Sequence, residues 1–383
     1  MKGVLDFLIA AKQLTEKPRA GWVARRVQSP ETTAEHMFRV AFMAYILGSK
    51  KGLRLKNCLK EAVLSDFPET KRGSDDFLRA KNSLAKLTAP LREDLQREIT
   101  LRWLESEKEI SKEGKFVAQL DLVENLIQAL EYLGSGGSRD FLEFAEKKVD
   151  DPLLKNFLEV IKKKFYGAKS AKKQKELKNI LEFLLQVGKL KRMGRLYWKL
   201  RNIKNPETVA DHIYTLTLAA WLLAAGRKEL SLEKLLKMSL CHELSAVYTG
   251  DTTPYDRILR EGGTEKREEI LKRVIRLSKK EKESIFIQDY KQEKRSLEKL
   301  VHSLAPHLAK EIIKLWQEYR TKSSQEGRFL SQLNVAVMLL QGLIYEKKYD
   351  NFSAAPLWEL AFEISDHTLI LKFLDEMKQK FYT

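Results

Sequence analysis

Sixteen consecutive positions near the start of the chain return far downstream without a gap. Gly21 to His36 reads GWVARRVQSPETTAEH, and Tyr197 to His212 reads YWKLRNIKNPETVADH. Trp22 and Trp198, Arg25 and Arg201, Pro30 and Pro206, and His36 and His212 each stand 176 residues apart. A constant offset over so long a stretch marks an internal duplication, so the chain must fold as two versions of one architecture.

The correspondence runs on beyond these blocks. Val63-Leu64-Ser65-Asp66 aligns with Leu240-Cys241-His242-Glu243, the latter continuing to Gly250-Asp251. After a variable charged segment, Glu113-Gly114 and Gln119-Leu120-Asp121 align with Glu326-Gly327 and Gln332-Leu333-Asn334. Apolar residues fall at helical spacing: Val4, Leu5, Leu8, Ile9 and Leu14 open the first copy, and Ile180, Leu181, Leu184, Leu185 and Leu190 open the second. Sustained alternation of β-branched residues is missing, so the expected class is all-α. Pro30 and Pro206 are expected to open the helices that carry His36 and His212, with Glu31 and Glu207 in their first turns. The repeat predicts two domains, 1–168 and 176–383, joined by a basic linker over 169–175.

With 383 residues, 43% of them hydrophobic, two domains with proper cores fit easily. Two cysteines, Cys58 and Cys241, provide no disulfide framework and suit a reducing compartment. Asp6 interrupts the region where a signal peptide would be apolar, and no uninterrupted apolar run reaches about 18 residues. A cytoplasmic protein without a membrane partner is expected. The net charge of +17 favours a polyanionic partner. Basic residues gather at Lys162, Lys163, Lys164, Lys172, Lys173, Lys191, Arg192 and Arg195, with Tyr166, Tyr197 and Trp198 among them. Phosphate-contacting cations interleaved with aromatic platforms are what single-stranded RNA binding requires; a solvated linker is the alternative.

The Trp, Arg, Pro-Glu, acid-His, His-Asp and distant Asp in this order resemble the HD-domain 5′-deoxynucleotidases. That resemblance implies two tandem all-helical HD bundles, a divalent transition metal, and removal of phosphate from deoxyribonucleoside monophosphates. It implies that the metal is held by the first His, a His-Asp doublet and a later Asp, with a Glu activating water. The matching positions in the first copy are His36, Asp66 and Asp121, with Glu69 as the catalytic Glu. In the second copy they are His212, His242 and Glu243. Trp22, Arg25, Trp198, Arg201 and Asp251 match the family's nucleotide-binding positions.

Neither copy keeps the whole set. Ser65 replaces the doublet His and Ser74 the Asp of Gly-Asp in the first; Glu243, Ala246 and Asn334 replace Asp, Glu and Asp in the second. The main expectation from these losses is a catalytically impaired protein repurposed to bind RNA or a ribonucleoprotein such as the ribosome. Two alternatives stand beside it: a metal-dependent nucleotidase working through the first copy, and a nucleotide sensor that does not cleave. Oligomeric state is open.

Overall fold

The computed structural model of the protein describes residues 2–68, 74–165, 174–253, 270–271 and 276–383. Its regular structure is helical, and among the described residues extended pairing is limited to two isolated bridges, Pro18 with Thr32 and Gly194 with Thr208. These bridges too are 176 residues apart, so the duplication is structural. Each closes a loop holding the repeated Trp. Arg19 N donates to Glu31 O at 3.0 Å and Thr33 N to Lys17 O at 3.2 Å; Arg195 N donates to Glu207 O at 2.9 Å and Val209 N to Met193 O at 2.8 Å. The loops turn through left-handed backbone at Arg26 and Ser29 in one copy and Asn202 and Asn205 in the other. Asparagine tolerates that region best, so the first copy holds the same turn with less suitable residues.

The histidine helices begin three residues later than the prolines suggest, at Thr33–Gly48 and Val209–Ala224. Thr32 and Thr208 cap them, each in a reciprocal capping box with Glu35 or Asp211. Two backbone donors are satisfied at once, which fixes the start more firmly than a proline at the first turn could. Glu31 and Glu207 are therefore not first-turn acids. They accept from the indole Nε1 of Trp22 (2.9 Å) and Trp198 (3.0 Å). Both histidine helices are buried along their whole length, as helices apolar on every face must be.

Two long helices, Lys112–Gly137 and Gln325–Lys348, carry Asp121 and Asn334. Ser111 and Ser324 cap them by accepting from Gly114 N and Gly327 N. The glycine is required there because a Cβ at Gly114 would collide with the carbonyl of Glu105, and one at Gly327 with that of Glu318. Gly114→Ala is expected to cost on the order of 1–3 kcal/mol by overpacking against backbone, read as a lowered denaturation midpoint. An unchanged midpoint would mean the two helices can separate freely. Gln325–Lys348 also has the length and mean hydropathy, 1.2, of a membrane span, but 67% of its apolar window is buried inside its unit. Gln332 Oε1 there accepts from Asp366 N and His367 N, as Gln119 Oε1 does from Asp150 N and Asp151 N. It is the core helix of its copy.

The chain forms two compact units: residues 10–188 with 301–311, and residues 1–9 with 189–300 and 312–383. The helix Lys175–Val187, which opens the second repeat in sequence, thus belongs to the unit of the first. Its Phe183 ring lies 6.1 Å from that of Phe42, Asn179 Nδ2 donates to Ser303 O at 2.8 Å, and Glu176 pairs with Lys50 at 2.5 Å. Burial of Ile180, Leu181 and Leu184 explains the placement, because an apolar stripe joins whichever core it can fill. Most of the basic linker, including Lys172 and Lys173, lies outside the described residues.

Candidate metal and nucleotide site

His36 comes from the first turn of the first histidine helix, Asp66 from the turn after helix Leu55–Ala62, and Asp121 from the long helix. One ligand atom from each lies within 4.8 Å of the others. His36 Nε2 is 2.6 Å from Asp121 Oδ1 and 3.7 Å from Asp66 Oδ2. The other ring nitrogen, Nδ1, contacts Glu124, which is itself held by Arg39 Nε at 2.8 Å. Arg39 is fully buried and also donates to Gln128 (2.8 Å) and Glu131 (2.6 Å), so its charge stays paired.

This donor set suits a divalent ion. One imidazole and two carboxylates make a nitrogen and oxygen set for a borderline metal, and Glu124 on Nδ1 fixes the ring as carboxylates do behind metal-ligating histidines. Ser65, at the doublet position, turns its Oγ to donate to Ala62 O at 3.1 Å and leaves a three-residue set. Without the metal, burial and Arg19 pull the His36 pKa down, but Glu124 and Asp121 outweigh them and hold it at about 9. Burial works to raise Asp121, and His36 and Arg19 hold it below the usual carboxylate range.

Arg19 was not among the residues the sequence singled out. Its Nη2 donates to Asp66 at 2.8 Å and its Nη1 to Asn125 at 2.6 Å, with Nη1 also 3.5 Å from Glu31. The repeat offset could have found it, since Arg195 stands in the same place three residues before Trp198. Arg19, Asp66 and Asn125 line a cavity of about 550 Å³, whose wall also includes Trp22, Arg25 and Phe141. Trp22 is only 3% exposed, so it shapes the wall more than it offers a surface. Glu69 lies outside the described residues.

The second copy keeps the frame and loses the centre. His212 Nε2 meets Asn334 Oδ1 at 2.6 Å, the same distance as the His36–Asp121 pair. His242 Nδ1 donates to Ser239 O at 2.7 Å, and burial keeps its pKa below the usual value. Glu243 lies 3.4 Å from Arg195, which also reaches Asp251 at 3.4 Å, while Asp251 accepts from Leu196 N at 2.6 Å. Among the described residues His212, His242 and Glu243 do not close into a three-ligand group as His36, Asp66 and Asp121 do. The outer residues have changed with the inner ones. Thr215 and Val337 occupy the positions of Arg39 and Glu124, and Ile344 that of Glu131. Removing one member of a buried charge network strands the others, so their joint absence is physically consistent. Arg201 Nη2 donates to Leu271 O at 2.9 Å, its guanidinium 3.7 Å from the Tyr197 ring.

An HD domain is matched twice, over residues 11–161 and 187–368. The chain belongs to the HD domain family. Its two HD regions are tandem copies with degenerate metal motifs. Among curated relatives, 5′-deoxynucleotidase HDDC2 of Bos taurus is 32% identical over 169 residues, covering 44% of this chain and 69% of the relative. The Homo sapiens protein of the same name is 31% identical over the same length, with the same coverage. The 5′-deoxynucleotidase hdd1 of Schizosaccharomyces pombe is 24% identical over 206 residues, covering 53% of this chain and 90% of the relative.

These relatives overturn the expectation of an impaired protein repurposed for RNA or ribosome binding, since they are named as nucleotidases. The geometry explains why the basic stretch misled. Its two described aromatic residues are inside, Tyr197 6% and Trp198 1% exposed, and Lys191 and Arg195 are 6% and 5% exposed; Tyr166 lies outside the described residues. Lys162 pairs with Glu146 at 2.7 Å, Lys164 with Glu182 at 2.5 Å, and Lys163 donates to Gln174 at 3.0 Å. Arg192 remains exposed. A base cannot stack on an indole that the core already covers.

Proposed function

We propose that the first HD copy is a metal-dependent 5′-nucleotidase that releases phosphate from (deoxy)nucleoside monophosphates, and that the second is its non-catalytic counterpart. The observation that carries this reading is the convergence of His36, Asp66 and Asp121, with Asp66 bonded to Arg19 and these two on the wall of one cavity. The names of the relatives supply the substrate class.

His36, Asp66 and Asp121 would hold the divalent ion, with Glu124 orienting His36. When bound, the ion supplies a Lewis acid for a phosphoryl oxygen and lowers the pKa of a bound water. Arg19, bonded to Asp66, would provide a planar, permanently charged fork suited to a phosphate monoester. Asn125 holds Arg19 through its Oδ1 and donates Nδ2 to Asp121 at 3.1 Å, tying the two functions together. Burial around His36, Glu31 and Glu124 restricts water there and strengthens each of these charge contacts.

The test is phosphate release by the full-length protein over a panel of nucleoside monophosphates, with and without a chelator. Release that stops on chelation and returns with added metal is expected. Glu243→Ala, in the second copy, should leave the rate within about twofold, within the scatter of a remote independent site. Release indifferent to the chelator, or lost with Glu243 alone, would refute the reading.

A further inference from the structure

The two copies differ in an informative way at one position of the centre. Ser65-Asp66 in the first aligns with His242-Glu243 in the second. In both, the first residue of the pair gives its side-chain proton to the backbone carbonyl three positions earlier. Ser65 Oγ donates to Ala62 O at 3.1 Å, and His242 Nδ1 donates to Ser239 O at 2.7 Å. The longer side chain then has an atom to spare. His242 Nε2 is buried, makes no hydrogen bond among the described residues, and lies 3.9 Å from Glu243 Oε1. Its ring centroid is 5.7 Å from that of His212. Donation by Nδ1 leaves Nε2 as a bare lone pair, the form in which an imidazole binds a metal. Ser65, its hydroxyl turned back on Ala62, offers no such atom, and it is only half-buried, so water can reach the place.

We propose that Ser65 makes the first copy's ion exchangeable and narrows the site's preference for zinc over manganese. The proposal rests on the metal reading of His36, Asp66 and Asp121, and names what the missing imidazole changes. Imidazole nitrogen suits zinc, whereas carboxylate and water oxygen suit manganese. Zinc keeps its intrinsic advantage in the divalent series, but a set with one nitrogen and two carboxylates gives that advantage less to act on. Arg19 weakens the hold further. Its Nη2 donates to Asp66 Oδ2 at 2.8 Å, the same oxygen that stands 3.7 Å from His36 Nε2, so guanidinium and ion compete for one atom. By mass action, a loosely held ion fills the site according to its free concentration, which makes the supply of metal a control on the loaded fraction.

The experiment titrates zinc and manganese separately into metal-free full-length protein, followed by calorimetry, as wild type, Ser65→Ala, Ser65→His and Asp121→Asn. Binding that survives Asp121→Asn lies elsewhere and is subtracted. Ser65→Ala should match wild type within about twofold for both ions, because the hydroxyl faces Ala62. Ser65→His supplies a second imidazole that the same carbonyl can orient, as Ser239 O orients His242. It should tighten zinc by more than about 100-fold, and manganese by at least about tenfold less. Zinc should also pass from wild type to a chelator on a timescale of seconds, a measurement that stands even if Ser65→His does not fold. Weaker binding by Ser65→Ala would make the serine a ligand and overturn the proposal. So would a folded Ser65→His that tightens both ions equally or neither, or wild type that keeps zinc from the chelator for hours. Wild type that binds neither ion through Asp121 would instead overturn the metal reading, and the proposal with it. None of these readouts uses phosphate release, so the proposal and the nucleotidase reading fail separately.

Discussion

Replacing Asp121 with Asn is expected to remove metal binding and phosphate release together while leaving the fold intact. An amide oxygen carries no charge and is a far weaker ligand than a carboxylate, so the set falls to His36 and Asp66. Loss of an outer partner already costs about 10- to 100-fold in metal affinity or activity, and loss of a ligand should exceed about 100-fold. The second copy shows that the frame tolerates the change, because His212 and Asn334 meet at the same 2.6 Å as His36 and Asp121. Metal content of the purified variant and calorimetric titration read the loss, and circular dichroism reads the fold. A variant that keeps wild-type metal affinity would remove Asp121 from the ligand set.

Metal affinity should also depend steeply on pH. His36 is protonated in the metal-free protein up to about pH 9, because Glu124 and Asp121 overcome the lowering by burial and by Arg19. A metal needs the neutral ring, so each binding event below that pH releases one proton. Affinity should therefore weaken about tenfold per unit, or about a hundredfold from pH 8 to pH 6. Glu124→Gln removes a charge that raises this pKa, so its slope should begin only at lower pH, with weaker affinity above it. The same raised pKa stabilises the metal-free fold below about pH 6.5, and that stabilisation fades as pH rises toward 9. Titrations at several pH values that give one affinity would contradict a His36 proton in the site.

The duplication and the helical class were legible from residue order, and so was the pairing of His36 with His212. Trp22 and Glu31 recur as Trp198 and Glu207 because each pair makes a contact nine positions apart that a fixed spacing preserves. Indole-to-Glu bonds and capped helices are local, so the sequence carries them almost whole. The helix starts were misplaced because Thr32 and Thr208 act through reciprocal bonds to residues three positions on, which outweigh a proline signal.

By itself, then, the sequence determined a twice-built HD chain in which the first copy keeps His36, Asp66 and Asp121. Only the tertiary structure decided what those residues could do. Arg19, Asn125 and Phe141 are far from one another in sequence and become one cavity wall only when the Trp loop and the later helices pack together. Burial, too, is a tertiary property. The basic run from Lys162 to Lys204 reads as a nucleic-acid surface until the core covers Tyr197 and Trp198, and until Lys162 and Lys164 find Glu146 and Glu182. Charge and aromatic content are counted along the chain, but whether they meet solvent depends on which apolar faces close over them.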